Sequence, residues 1–214
     1  YYDHHLAYLA DVQDDRAPAE SSRRAWMEHV QPVVRNPYLS NPDLFVDDPA
    51  FRGHIYLGAD EFATYLTEPF DEGFEERAFT TGLLRNRMLN ELSAEAVPVI
   101  LHEDDLNAMY FSIENRSPFL DRDLFEFSRT IPTRHLTRAG RPRAVRRGRG
   151  GGIARAGAPD TRRKVGFNAP IHALLDVNDP EVRDELLADS PVFDVIRRDK
   201  LEGLLAKSDL PNSE

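Results

Sequence analysis

The 214-residue chain contains no cysteine, which excludes a disulfide framework, a thiolate metal site and a cysteine nucleophile within it. The same absence fits a reducing compartment, and a cytoplasmic location is expected. No stretch approaches the ~20 consecutive apolar residues that a membrane span requires, so no membrane partner is expected either. The start, YYDHHLAYLA, lacks the basic region and cleavage site of a signal peptide and opens directly into a helix-like run, His5, Leu6, Tyr8, Leu9 and Val12, which suggests a piece cut from a longer polypeptide. Convincing strands are lacking as well. GHIYL (53–57) and LFVDD (44–48) are the best candidates, and both are short and without partners. There is no internal repeat.

Apolar residues make up 41% of the chain, enough to build a core, and their spacing is helical. SSRRAWMEHVQPVV predicts a second helix with a serine N-cap, and RNPYLSNPDLFVDDPAFRG, with its Asn-Pro and Asp-Pro pairs, a folded-back connector. Asp60 to Leu66 reads as a short helix capped by Asp60. From about Glu75 the pattern strengthens: Leu83, Leu84, Met88, Leu89 and Leu92 mark one face, with Arg85, Arg87 and Glu91 on the other. Proline is tolerated in a first helical turn, so Pro98 separates two helices, one ending near Ala96 and one running to about Ile113. The second is expected to bury Ile100, Leu101, Leu106, Met109 and Phe111. Leu124 to Ser128 reads as a further helix, Arg134 to Gly140 as an irregular turn, and the tail from Ile171 as three short amphipathic helices.

Net charge is −10, but Arg138 to Lys164 holds ten Lys/Arg against the single acid Asp160. That block could grip phosphate through its glycines and charge. It lacks interleaved aromatics and any nucleic-acid motif, and the rest of the chain carries −19, so no nucleic-acid partner is expected. Elsewhere, His102 and Asp105 have the i, i+3 spacing that metal ligands on a helix need, but one pair makes no site. Asp3, His4 and His5 are consecutive, and adjacent residues on a helix diverge, so no metal site is expected there. Glu114 and Arg116, two apart, point to different sides of a helix but share one side of an extended segment; either they serve chemistry or they tie down a helix end. Lys164 is followed by Gly166, Phe167 and Pro170, which anchor and stiffen its loop. A lysine so held suits charge developing on a phosphate or oxyanion.

These motifs line up in order with one family. Asp105-Leu106-Asn107-Ala108-Met109, then Ser112-Ile113-Glu114-Asn115-Arg116-Ser117-Pro118-Phe119-Leu120-Asp121, resembles D-x-x-S-M followed by S-[LI]-E-x-R-x-P-F-L-D of glutamine-dependent asparagine synthetases and related amidotransferases. Gly140-Arg141-Pro142-Arg143 is similar to their G-[RK]-x-K turn, and Arg162-Arg163-Lys164-Val165-Gly166-Phe167-Asn168-Ala169-Pro170 to their R-x-K-x-G-F-x-x-P. Tyr1-Tyr2 resembles the G-Y-Y that follows the family's G-x-G-x-D-E loop.

The resemblance implies a fold and an activity. The fold is the helical C-terminal portion of an α/β pyrophosphate-loop ATP synthetase domain, mainly α in these 214 residues, with the pyrophosphate loop and the cysteine glutaminase before Tyr1. In the reaction, ATP with Mg²⁺ activates the aspartate carboxylate as an adenylate, and glutamine-derived ammonia attacks it. Lys164 is implied as the catalytic residue that stabilises charge, Asp105, Glu114 and Arg116 as residues of the substrate cleft, and a homodimer as the assembly. The fragment alone is expected to be inactive and marginally stable.

Ala108 stands where serine is usual, and Glu103 and Asp104 where a basic and an apolar residue are common, which leaves the acceptor open between aspartate and a carboxylate on a sugar or another small molecule. A non-catalytic helical module with a basic loop is the alternative outside the family. From 143 to 159 the family has a helix, whereas this chain has five glycines, each costing about 1 kcal/mol relative to alanine. The segment is expected to be an irregular loop, or a short out-of-frame passage in a GC-rich coding sequence, because the motif resumes in step at Asp160.

Overall fold

The computed structural model describes residues 2–56, 58–69, 73–138, 141–142 and 176–207, the side chains of 138, 141 and 142 excepted. The described part is mainly helical: α1 (Tyr2–Asp11), α2 (Arg16–His29), α3 (Leu44–Asp47), α4 (Ala59–Ala63), α5 (Leu83–Ser93), α6 (Ala96–Tyr110), α7 (Arg122–Thr130), and two tail helices, Pro180–Leu186 and Arg198–Leu205. The chain divides into two compact units, Tyr1–Ile55 with Glu75–Thr161, and Tyr56–Phe74 with Arg162–Glu214.

The first unit is organised around α1. Five consecutive residues, His5 to Leu9, are buried, and five residues exceed one helical turn, so this helix is covered on every side. Leu6, Leu9, Trp26, Val30, Phe45 and Leu84 close the core around it. His5 hydrogen-bonds the Ser22 hydroxyl at 2.9 Å and meets Trp26 edge-on at 5.2 Å. This contact corrects the expected serine cap: α2 starts at Arg16, with Pro18 in its first turn, where a missing N–H costs nothing. Ser22 lies inside the helix and serves His5. Arg23 holds Asp43 through paired hydrogen bonds, one of them 2.9 Å. The LFVDD strand candidate is helical in its first four residues, as α3.

The C-terminal end of α1 caps the next major helix. Both oxygens of Asp11 accept backbone N–H groups from the first turn of α5, Leu83 at 2.6 Å and Leu84 at 3.1 Å, which answers two of the donors a helix start leaves unpaired. Helix α5 therefore begins at Leu83, not near Glu75. The preceding segment has no regular secondary structure, and two side-chain amides of α5 take its backbone bonds. Asn90, fully buried, accepts from Arg77 N at 2.8 Å and donates to Arg77 O at 2.9 Å. Asn86 accepts from Phe79 N at 2.8 Å.

Arg87, expected on the solvent face, is instead 5% exposed. It donates to the Pro49 and Phe51 carbonyls at 3.0 and 3.1 Å, lies 3.8 Å above the Phe45 ring, and has Glu76 at 3.8 Å. Arg52 bridges Glu76 at 3.1 Å and Glu95 at 2.9 Å beside it. Burial lowers the Arg87 pKa from its usual value while Glu76 opposes the shift; a guanidinium stays charged regardless.

The second helix, expected from Pro98 to about Ile113, is present as α6 but starts two residues earlier, at Ala96, with Pro98 in its first turn, and ends at Tyr110; no side chain on it is buried. Ile100, Leu106, Met109 and Phe111, expected in the core, are all exposed, Phe111 at 70%. Helix α7 is longer than Leu124 to Ser128 and is fastened to α5 by Arg85, which donates to Thr133 Oγ1 at 2.8 Å and to the Arg129 and Ile131 carbonyls. In place of a wholly irregular turn, a 3₁₀ turn at Thr133–His135 leads into a two-residue antiparallel ladder, Thr137 with Pro142 and Arg138 with Arg141.

In the second unit, α4 starts after Gly58, whose φ of +73° suits glycine, so Asp60 is not its cap. Leu66 and Ile196 form an isolated antiparallel bridge, and Arg197 N donates to Tyr65 O at 2.7 Å. Val177 and Leu205 form its small core with Leu186 and Leu201. The expected tail helices are present as Pro180–Leu186, a 3₁₀ turn at Pro191–Asp194, and Arg198–Leu205; the one expected just after Ile171 lies outside the described residues.

Replacing Asn90 with alanine removes the acceptor of a backbone N–H at a fully buried position, so Asn90→Ala is expected to lower unfolding free energy by about 2–3 kcal/mol in urea titration. The hydrogen bond from Arg23, outweighing partial burial, holds the Asp43 carboxyl below the usual carboxylate range. Its contribution is therefore present above about pH 4 and is lost as pH falls through the lowered folded value. Asp43→Asn is expected to flatten the acid limb of stability against pH.

Candidate functional site

Three of the candidate site residues, Asp105, Glu114 and Arg116, fall on α6 and on the segment that leaves it. The helix ends in a left-handed turn: Ser112 has φ +56°, Ser112 N donates to Met109 O and Ile113 N to Ala108 O, both at 2.9 Å. These are the two hydrogen bonds of a Schellman closure, which usually has glycine at the left-handed position. A non-glycine residue there is strained by roughly 1–2 kcal/mol, and such strain gathers at functional segments.

From Ile113 to Ser117 the chain has no regular secondary structure, and Glu114 and Arg116 meet on one side of it. Arg116 Nε and Nη2 lie 3.0 and 2.8 Å from Glu114 Oε1, with side chains 82% and 73% exposed. They bond each other across the exposed exit. The residue that fixes local structure is Asp121, the last of the same motif: its side chain accepts Leu124 N at 3.0 Å and caps α7.

Asp105 is exposed in the middle of α6, as is His102. Along the same stretch Met109, Tyr110, Phe111, Ile113, Phe119, Leu124 and Phe127 are exposed too. A contiguous polar and apolar segment thus runs uncovered from α6 to α7 in the first unit, with the Glu114–Arg116 pair at its centre. Lys164, and with it residues 143–159, lies outside the described residues.

A second feature of this unit had little signal in the sequence. A cavity of about 560 Å³ is lined by Leu84, Met88 and Leu92 of α5, Phe125 of α7, and the polar pair His4 and Glu91. His4 Nε2 and Glu91 Oε1 are 2.8 Å apart although 87 positions separate them. Only the alternation of Leu and polar residues along α5 hinted at a half-buried face here, and nothing local to His4 pointed to Glu91.

Residues 10–213 match the family model for asparagine synthase, and the chain belongs to the asparagine synthase family, whose members are ATP-dependent amide-forming ligases. No curated protein and no solved structure matches it. The mainly helical character of the described residues fits that family, and no helix among them is long and apolar enough to cross a membrane.

Because Ser112 occupies a left-handed position, Ser112→Gly is expected to raise stability by about 0.5–1 kcal/mol and β-branched Ser112→Val to lower it by about 1–2 kcal/mol. Paired urea titrations of the two variants check both signs.

Proposed function

We propose that this chain is the helical C-terminal portion of a glutamine-dependent asparagine synthase, acting on aspartate. In that reaction an aspartate carboxylate oxygen attacks the α-phosphorus of ATP and expels pyrophosphate. Ammonia released from glutamine then attacks the acyl carbon and expels AMP, leaving asparagine. Negative charge builds on the phosphates in the first step and on the acyl oxygen in the second. Lys164 offsets that charge, and Mg²⁺ carried with ATP would supply Lewis-acid neutralisation of the phosphates.

The observation that supports this reading best is the exit from α6. The motif that places Glu114 and Arg116 in sequence is the one whose backbone is turned out by the strained Ser112 and fastened by the Asp121 cap. Local structure accounts for Ser112 and Asp121, and it does not use Glu114 and Arg116 beyond their mutual ion pair. An exposed guanidinium and carboxylate held side by side suit the amino-acid part of a substrate, a carboxylate and an ammonium, better than they suit the inside of a fold. Asp105, on the same bare segment, extends the acidic side of that cleft.

The pyrophosphate-loop sequence S-G-G-x-D-S does not occur in the 214 residues, so in this proposal the nucleotide is held by a portion of the enzyme that precedes Tyr1. In a protein carrying that portion, Lys164→Ala is expected to abolish aspartate-dependent exchange of pyrophosphate into ATP while leaving glutamine hydrolysis intact. Exchange at the unaltered rate would overturn the role of Lys164, and exchange that ignores aspartate would move the acceptor to another carboxylate.

A further inference from the structure

We infer that Asp3, His4 and Glu91 bind a divalent transition-metal ion of the zinc type, joining α1 to α5, independently of the ligase proposal. One donor atom from each residue lies within 4.8 Å of the other two. With metal–ligand bonds of about 2.0–2.2 Å, the donors of a tetrahedral site stand roughly 3–4 Å apart, so small side-chain rotations bring all three onto one ion.

Adjacent helical residues diverge by about 100°, and α1 alone would not gather Asp3 and His4 on one centre. Packing of α5 changes this, because Glu91 arrives at a point within reach of both. His5, next in sequence, is turned inward to Ser22 and takes no part.

The donor set indicates the ion. One imidazole and two carboxylates give nitrogen and oxygen ligands with two negative charges, which suits zinc and its neighbours; magnesium and calcium prefer oxygen donors alone. The side chains of Asp3, His4 and Glu91 are 16%, 19% and 34% exposed, shielded enough to strengthen the electrostatics yet open to solvent exchange. His54, itself buried, stands beside the carboxylate with Nε2 3.9 Å from Asp3 Oδ2, beyond direct hydrogen-bond distance. The fourth position is left for water on the side of the cavity that His4 and Glu91 line.

The test uses the untagged chain after chelator treatment, titrated calorimetrically with Zn²⁺ alone and, in parallel, with Co²⁺ followed by its visible absorption. One zinc per chain is expected, with a rise in melting temperature and a tetrahedral-type cobalt spectrum. Glu91→Gln keeps a hydrogen-bonding partner for His4 but loses the anionic donor; it is expected to weaken zinc binding by about 10–100-fold and to abolish the zinc-dependent thermal shift. Asp3→Asn is expected to do the same, which covers the case in which one variant folds poorly. His102→Gln, distant on α6, is expected to change neither readout. Absence of a stoichiometric site in the unaltered chain, or zinc affinity in Glu91→Gln and Asp3→Asn unchanged from that of the unaltered chain, overturns the inference.

Discussion

A buried cation, Arg87, ties the connector before α4 to α5 in the first unit. Removing a guanidinium from water is expensive, and the cost is offset only where its surroundings supply hydrogen bonds and opposite charge. Here two carbonyls of the 49–51 turn, the face of Phe45 and the carboxylate of Glu76 do so together. They come from two segments, residues 45–51 and Glu76, so the charge fixes where both lie against α5. The connector of residues 35–55, which has little regular structure of its own, is held in place by α5 through this side chain. Arg52 extends the arrangement to Glu95 and thus to the junction of α5 with α6.

Much of this is invisible in a one-dimensional pattern. Helical spacing located α1, α5, α6 and α7; in α1 and α5 the apolar side chains that define the period also pack, whereas none of those on α6 is buried. It assigned Arg87 to solvent, since a charged residue opposite a leucine stripe usually faces water. What reversed the assignment was a partner set assembled from residues 45, 49, 51 and 76. The segment from Glu75 read as helical for a related reason: Asn86 and Asn90 look neutral in a pattern, yet as amides they replace the backbone partners that a helix would have provided. The expected cap at Ser21 or Ser22 failed because Pro18 permits an earlier start.

The motif around the candidate site was legible as an ordered run of residues, although Lys164 lies outside the described residues. Glu114, Arg116 and Asp121 stand in a motif whose order is its information, and the geometry separates their roles, with Asp121 capping a helix while Glu114 and Arg116 pair in the open. Sequence alone left open whether that pair was helical or extended. Helix α6 closes at the left-handed Ser112, before the pair, and a serine at such a position carries no pattern signal because glycine is the residue normally sought there. His4 and Glu91 were beyond reach for a simpler reason, their 87-residue separation.

The bare stretch from Met109 to Ile113 has a colloidal consequence. Four of its five residues are large and apolar, and they sit exposed on a polypeptide whose formal charge is −10. Repulsion between like-charged copies opposes contact through that stretch at low ionic strength, and it weakens as the screening length contracts from about 30 Å at 0.01 M salt to about 3 Å at 1 M. The isolated chain is therefore a molecule whose dispersion in solution is governed by salt, with dilute buffer keeping copies apart and concentrated electrolyte letting them adhere.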